Sequence, residues 1–168
     1  MLIYSPLSVE NLKEASSLVY SVFPDDFNSE DSPYEAYRAS LNNNEHKNFI
    51  LKHDIDYMQY FVVKNSPLEN IIGVTGWYTQ KSDNSDVVWL GWYCLSPQER
   101  GKGLGEEILK WTMDKVKEKG YKTMRLYTST DPNEAVAQSL YEKLGFKIFN
   151  EELKEGEKYK TLYRECVL

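Results

Sequence analysis

The sequence predicts an α/β (α+β) fold: a mixed, mostly antiparallel seven-stranded sheet flanked by about four helices, in the order β-α-α-β-β-β-α-β-α-β-β. Three observations carry this. Residues 57–64, 71–80 and 87–95 are runs rich in aromatic and β-branched side chains, parted by the turn chemistry of Asn65-Ser66-Pro67 and of residues 81–85, as in an antiparallel meander. Two segments, Ser32-Pro33-Tyr34-Glu35 and Asp131-Pro132-Asn133-Glu134, repeat one helix-start signature of cap, proline and glutamate. Helical periodicity follows each of them, and it also follows a glycine-dense turn at residues 100–105.

Taken in order, the apolar opening Leu2, Ile3, Tyr4 is the first strand. Ser8 then caps a helix whose inner face carries Leu12, Ala15, Ser16, Val19, Val22 and Phe23, and which Pro24 with Asp25-Asp26 closes. The second helix runs from Ser32 to about Leu41, before Asn42-Asn43-Asn44; residues 49–56 fit neither period clearly. After the meander, Leu104, Ile108, Trp111, Thr112 and Val116 repeat at helical spacing, and Lys119-Gly120 supplies a cationic last turn and a glycine stop. Residues 124–128 are a strand. Ala137, Leu140, Tyr141 and Leu144 form the stripe of a last helix ending at Gly145, and strands 146–153 and 159–167 flank the polar turn at residues 154–157.

The chain of 168 residues, 41% hydrophobic and 14% aromatic, is read as one domain over residues 1–168. Twenty basic residues against 26 acidic, net −6, leave no electrostatic footprint for nucleic acid and favour, if anything, a cationic substrate. Cys94 and Cys166 make neither a disulfide framework nor a CxxC pair. The N-terminus lacks the basic start and apolar core of a signal peptide, and no apolar run approaches ~20 residues. A soluble, cytoplasmic protein without a membrane or nucleic-acid partner is expected, its oligomeric state, a homodimer included, left open.

The most informative segment is residues 95–105, where a strand enters a glycine-dense turn that opens an amphipathic helix. A helix start presents unsatisfied N–H groups and a positive dipole end, and glycine lets the backbone approach phosphate oxygens without an intervening Cβ. Arg100, Gly101, Lys102, Gly103, Leu104 and Gly105 are therefore expected to cradle a pyrophosphate, the two cations adding charge. Two other phosphate motifs are excluded. A dinucleotide G-x-G-x-x-G would need glycine where Glu106 or Ile108 stands, and a P-loop would need Ser or Thr where Gly103 follows Lys102.

What remains, Arg100-x-x-Gly103-x-Gly105 between strand and helix, resembles the R/Q-x-x-G-x-G/A signature of the GNAT superfamily of acetyltransferases. Asn133 and Ala135, followed by residues 140–146 (Leu-Tyr-Glu-Lys-Leu-Gly-Phe), resemble that superfamily's N-x-x-A…Y-x-k-x-G-F segment, and the element order matches over nearly the whole chain. The resemblance implies an acetyl-CoA-dependent N-acetyltransferase that moves acetyl directly to a primary amine of a small molecule in a ternary complex, with acetyl-CoA as co-substrate and no metal. It implies splayed strands at residues 87–95 and 124–128. Leu95 would offer main-chain bonds to pantetheine, with Gly91 suited to a bulge that widens the gap, the amides of residues 100–105 would hold the pyrophosphate, and Asn133 would bond the pantetheine side. Tyr141 would protonate the departing thiolate; its place on the helix's apolar stripe also suits a packed tyrosine.

The acceptor side is thinner. An amine must lose its proton before it can attack, yet residues 87–95 contain no carboxylate, unlike family members with a glutamate there. Asp86, at that strand's start, and the acidic residues Asp25, Asp26, Glu30 and Asp31 between the first two helices are candidates to bind a cationic acceptor or take its proton through water. Trp77, Trp89, Trp92 and Tyr93 are the second constellation. Alternation places Trp89, Gly91 and Tyr93 on one face, where they line the acceptor cleft or simply pack the core. Cys94 lacks a histidine within reach, neither His46 nor His53 standing in a suitable segment, so an acyl-enzyme is not expected. A coenzyme A-binding sensor without turnover is the alternative. An enzyme acting on protein N-termini or lysines, or one using another acyl group, also fits the sequence.

Overall fold

The computed structural model describes residues 1–24 and 32–168. Strand β1 (Ile3–Pro6) leads into α1 (Leu12–Val22), α2 (Pro33–Leu41) and the short α3 (Lys47–Lys52). Strands β2 (Ile55–Lys64), β3 (Gly73–Gln80), β4 (Val87–Leu90) and β5 (Cys94–Leu95) follow. Helix α4 (Leu104–Glu118) joins them to β6 (Thr123–Ser129), and α5 (Ala135–Lys143) joins β6 to β7 (Lys147–Glu152) and β8 (Thr161–Val167). Among the described residues the sheet thus has eight strands. Their order is β1-β2-β3-β4-β6-β8-β7, with β5 paired to β3. The pairings are antiparallel except for β4 with β6.

The mixed sheet with helices on its faces is as the sequence predicts. The eighth strand arises because residues 87–95 form two strands rather than one, and the fifth helix, α3, occupies part of the segment that periodicity leaves undecided. Six residues are too few for a helical stripe to show.

Period-two alternation on β2 sorts the core into two layers. Met58, Tyr60 and Val62 pack with Val74 of β3 against Ala15, Val19, Ala36 and Tyr37 of the first two helices. On the other face Trp77, Val88, Leu90, Met124 and Leu126 pack against Leu109 and Val116 of α4. That layer encloses one polar pair, Thr75 Oγ1 and Thr112 Oγ1 at 2.7 Å, with Thr112 also donating to the Ile108 carbonyl at 2.9 Å. Each hydroxyl is therefore satisfied, which removes the cost of burying it.

The helix starts partly follow their signatures. Ser32 Oγ accepts from the Glu35 amide at 3.2 Å, as a cap should. Glu35 does not complete a capping box, because its carboxylate goes to Arg38 (3.5 Å) and His46 (3.3 Å). At α1 the expected cap fails. The helix begins at Leu12, and Asn11 Oδ1 accepts from the Ser8 amide at 2.8 Å, so the asparagine organises the preceding turn and Ser8 lies outside the helix.

Strands β2 and β3 cross tightly at Gly76. A Cβ there would overlap the Gln59 carbonyl and stand 2.9 Å from Tyr60 Cα, both backbone atoms that cannot rotate away. Gly76→Ala is expected to cost about 1–3 kcal/mol, seen as a lower urea midpoint with an unchanged m-value.

Candidate active site

The cleft begins with a one-residue mismatch. Leu90 pairs with Trp77 and Cys94 with Val74, so the stretch from Leu90 to Cys94 is one residue longer than the β3 stretch it faces. That is a β-bulge. Gly91 opens it, donating its N–H to the Gly76 carbonyl at 2.9 Å, and a Cβ at Gly91 would meet the Tyr60 hydroxyl at 2.7 Å. The bulge keeps β5 on β3, while β6 stays paired to β8 as far as Ser129. Pairing between β4 and β6 therefore runs only from Val87 opposite Thr123 to Trp89 opposite Arg125. The two arms then part, and a cavity of about 790 Å³ is lined by Leu90, Gly91 and Tyr93 on one side and Leu126, Thr128 and Ser129 on the other.

The expected splay is thus present, and it bears on Leu95. Ser96 donates to the Ile72 carbonyl at 2.7 Å, which turns the main-chain groups of Ser96 and Cys94 toward β3. By strand alternation those of Leu95 face the opposite edge, toward the opening.

At the end of β5 a 3₁₀ turn (Pro97–Glu99) precedes the glycine-dense loop. Gly101 and Gly103 both adopt left-handed backbone, φ 78° and 79°, and a Cβ on either would meet nothing within 4 Å. Conformation, not crowding, requires glycine here. The first backbone bond of α4 is donated by Glu107 to Gly103 at 3.1 Å, so the amides ahead of Glu107 in the first turn lack intrahelical acceptors and head an exposed surface. Lys102 pairs with Glu99 at 2.9 Å, and Arg100 is exposed beside the loop. Gly105 is held differently, because Tyr93 Oη donates to its carbonyl at 2.7 Å. These residues fit a pyrophosphate: an exposed helix start, two left-handed glycines with no Cβ in the way, and two cations.

Tyr141 lies on the other wall, 7% exposed, its ring edge-on to Phe146 at 6.0 Å. Burial, with a smaller push from the negative Glu134, raises its phenol well above the usual range, so it remains O–H at any physiological pH. The helix bearing it is held from below by Arg164, which is 2% exposed and donates to Glu142 (2.9 Å), Gln138 (3.4 Å) and the Phe146 carbonyl (3.4 Å). Gln138 in turn donates to the Ser129 carbonyl at the tip of β6.

Asn133 does not line the cavity. It is exposed and its amide serves the Asp131 cap at 2.9 Å, whereas Glu134 points inward and accepts from Thr128 Oγ1, from the Ser129 amide (3.0 Å) and from Ser129 Oγ (2.6 Å). The motif's spacing agrees with the structure: Ala137 stands three residues after Glu134, while Val136 stands three after Asn133. The helix-start signature at residues 131–134 masks this, because a glutamate at that place also suits a cap.

The bulge also overturns the expected grouping of Trp89 with Tyr93. The extra residue reverses the side-chain parity, so Tyr93 packs with Leu104 on the α4 face while Trp89 stacks on Tyr78 on the opposite face, centroids 6.2 Å apart and 14° between planes. Tyr93 is thereby tied to the glycine-dense loop through the Gly105 carbonyl while it also lines the cavity. Trp77 is core, fully buried against Phe61. Trp92, edge-on to Phe23 at 5.5 Å, does line the cavity. Asp86 sits at the closed end of β4, its carbonyl accepting from the Lys122 and Thr123 amides and its carboxylate 3.6 Å from Lys122, away from the opening. Asp26 and Glu30, with Asp25 and Asp31, lie outside the described residues. The Cys94 thiol is pushed up to about 12 by burial, which leaves it a poor nucleophile, in accord with the sequence. Cys94→Ala is expected to change kcat less than about threefold, a steady-state comparison that would expose any acyl-enzyme route.

Among the described residues no group of three or more His, Cys, Asp or Glu side chains is clustered to hold a metal ion, and no helix is long and apolar enough to cross a membrane.

A splayed sheet whose open strand runs into an exposed, glycine-built helix start is the architecture of an acyl-coenzyme A acyltransferase. Comparison with known proteins places the chain within that class. Residues 17–146 match the model of the Acetyltransferase (GNAT) family. The chain is 40% identical over 82 residues to the spermine/spermidine N(1)-acetyltransferase of Bacillus subtilis (strain 168), covering 48% of this chain and 52% of that protein. It therefore spans about half the length of the curated relatives it matches. Among solved structures, the ribosomal-protein-S18-alanine N-acetyltransferase of Escherichia coli superposes with a TM-score of 0.69 at 15% identity, covering 99% of this chain and 94% of that one. Mutant forms of the spermidine/spermine N-acetyltransferase SpeG of Vibrio cholerae superpose with a TM-score of 0.67 at 16% identity, covering 99% and 95%. The chain belongs to the GNAT acetyltransferase family.

Proposed function

We propose that this protein transfers the acetyl group of acetyl-CoA directly to a primary amine of a small molecule, in a ternary complex. The carrying observation is the wedge between β5 and β6, which opens at the phosphate-fitting loop and has a protonated tyrosine on its wall. The amides of residues 100–105, with Arg100 and Lys102, hold the pyrophosphate, and the outward main-chain groups of Leu95 bond the pantetheine arm. Glu134, which lines the wedge beside Ser129, stands next to Asn133, the residue the resemblance gives to the pantetheine side.

The amine nitrogen attacks the thioester carbonyl, a C–N bond forms as the C–S bond breaks, and the thiolate receives its proton from Tyr141. The amine's surplus proton leaves through water, and Tyr141 regains a proton from solvent, so the net change is one amide and one thiol formed. The curated relatives' substrates, spermine and spermidine, support an amine acceptor of net positive charge, as does the chain's own charge of −6.

The test pairs two readings on one sample. Acetyl-CoA should raise the melting temperature, and addition of a primary-amine panel should release free thiol. A melting shift without thiol release on any amine would instead support a sensor that binds coenzyme A without turnover.

A further inference from the structure

We infer that Tyr60 is a positioning residue for the reaction: its hydroxyl braces the β-bulge at residues 91–93 so that the main-chain amide of Tyr93 is aimed at the thioester carbonyl. The inference rests on the acetyltransferase reading above. Its basis is a row of three residues across the sheet, Tyr60 of β2, Gly76 of β3 and Gly91 at the head of the bulge.

Tyr60 pairs directly with Gly76, and Gly91 donates to the Gly76 carbonyl at 2.9 Å. The Tyr60 side chain lies along this row instead of standing up from the sheet. A Cβ at Gly76 would overlap its Cδ1, and one at Gly91 would meet its Cε1 at 2.8 Å and its Oη at 2.7 Å. Glycine within a sheet costs stability and is kept where another group must approach the backbone closely. One ring therefore accounts for both glycines, since it needs their missing side chains in order to reach the bulge. Tyr37, fully buried, holds that ring edge-on, centroids 4.8 Å apart and 69° between planes. Burial raises the Tyr60 phenol above its usual range, while the Trp92 main chain, bonding the phenol oxygen, pulls the other way.

The bulge is held from the opposite face as well, where Tyr93 Oη donates to the Gly105 carbonyl at 2.7 Å. Between these two hydroxyls lies the Tyr93 amide. The alternation that turns Cys94 and Ser96 toward β3 turns the main-chain groups of Tyr93, like those of Leu95, toward the opening. Among the described residues that amide has no backbone acceptor. A pantetheine arm that leaves the glycine-dense loop along β5 meets Leu95 first and Tyr93 ~7 Å further on, which brings the thioester to the bulge. An N–H held there in advance stabilises the negative charge that grows on the carbonyl oxygen as the amine attacks.

Tyr60→Phe tests this, because it keeps the ring against the two glycines and removes only the hydroxyl. With acetyl-CoA and the fastest acceptor of the amine panel, kcat should fall about tenfold while the acetyl-CoA KM stays within about twofold. The infrared carbonyl stretch of bound acetyl-CoA, isotopically labelled at that carbonyl, gives a second reading. In the unaltered protein it should lie below the stretch of free acetyl-CoA, and in the variant most of that displacement should be lost. A merely structural tyrosine would lower the melting temperature and leave the stretch displaced. That result, an unchanged kcat, or no displacement in the unaltered protein overturns the inference, while coenzyme binding and thiol release still uphold the acetyltransferase reading. Acetyl-CoA that neither raises the melting temperature of the unaltered protein nor yields thiol with any amine overturns both.

Discussion

Replacing Tyr141 with phenylalanine should lower kcat about a hundredfold, within the usual contribution of a positioned general acid, while the acetyl-CoA KM moves less than threefold. A hundredfold is about 2.7 kcal/mol of transition-state stabilisation. The variant keeps the ring that packs on Phe146 and loses only the hydroxyl. Packing is therefore separated from proton delivery. A purely structural tyrosine would give the opposite pattern, with a lower melting temperature and an unchanged rate. The pH profile adds a second reading. Because the folded environment raises the Tyr141 phenol, the protonated form needed for catalysis is present below that raised value and lost only above it. The rate should rise with pH as the amine deprotonates, and then level off without an alkaline fall before about pH 10, near the ordinary phenol pKa. A fall beginning near pH 8 would show that the titrating acid is another group.

Gly103→Val should raise the acetyl-CoA KM by roughly thirtyfold with a much smaller change in kcat. Gly103 caps α4 at φ 79°, and left-handed backbone costs an ordinary L-residue about 1–2 kcal/mol and a β-branched one more. The chain can relieve that strain only by rotating the peptide planes that carry the loop amides. Nothing lies within 4 Å of where the Cβ would sit, so the core is untouched and the melting temperature without ligand should fall only slightly. The loss should therefore appear as weaker stabilisation by acetyl-CoA. Gly105→Ala provides a contrast, since its Cβ would stand 3.0 Å from Tyr93 Oη, a side-chain atom whose bond to the Gly105 carbonyl would be strained instead.

Legibility in the sequence followed the range of the interactions involved. The glycine-dense loop could be read because left-handed turns and helix starts are written locally, in Gly101, Gly103 and the periodic residues after them. The meander could be read because alternation and turn residues are local too. The aromatic lining of the cavity could not. One extra residue between Leu90 and Cys94 reverses every side chain after it, and nothing in Gly91-Trp92-Tyr93 announces which residue is extra until β3 is laid alongside. Simple alternation therefore groups Trp89 with Tyr93, which lie on opposite faces. Glu134 was hidden by a competing local role, since its partners Thr128 and Ser129 belong to the preceding strand and reach it only when α5 folds back onto β6. Arg164 gave no signal at all: a lone arginine in an alternating strand looks solvent-facing, yet it is buried under α5 through contacts 18 to 26 residues away in sequence.

The central claim, direct transfer within a wedge that holds both substrates at once, is tested most directly by initial velocities measured with acetyl-CoA and an accepted amine varied together. The mechanism predicts intersecting lines in double-reciprocal form, one thiol released per acetylated amine, and no acetylated protein when the amine is withheld. Parallel lines together with a protein acetylated by acetyl-CoA alone would contradict it, and would mean that the acetyl group passes through a side chain of the enzyme.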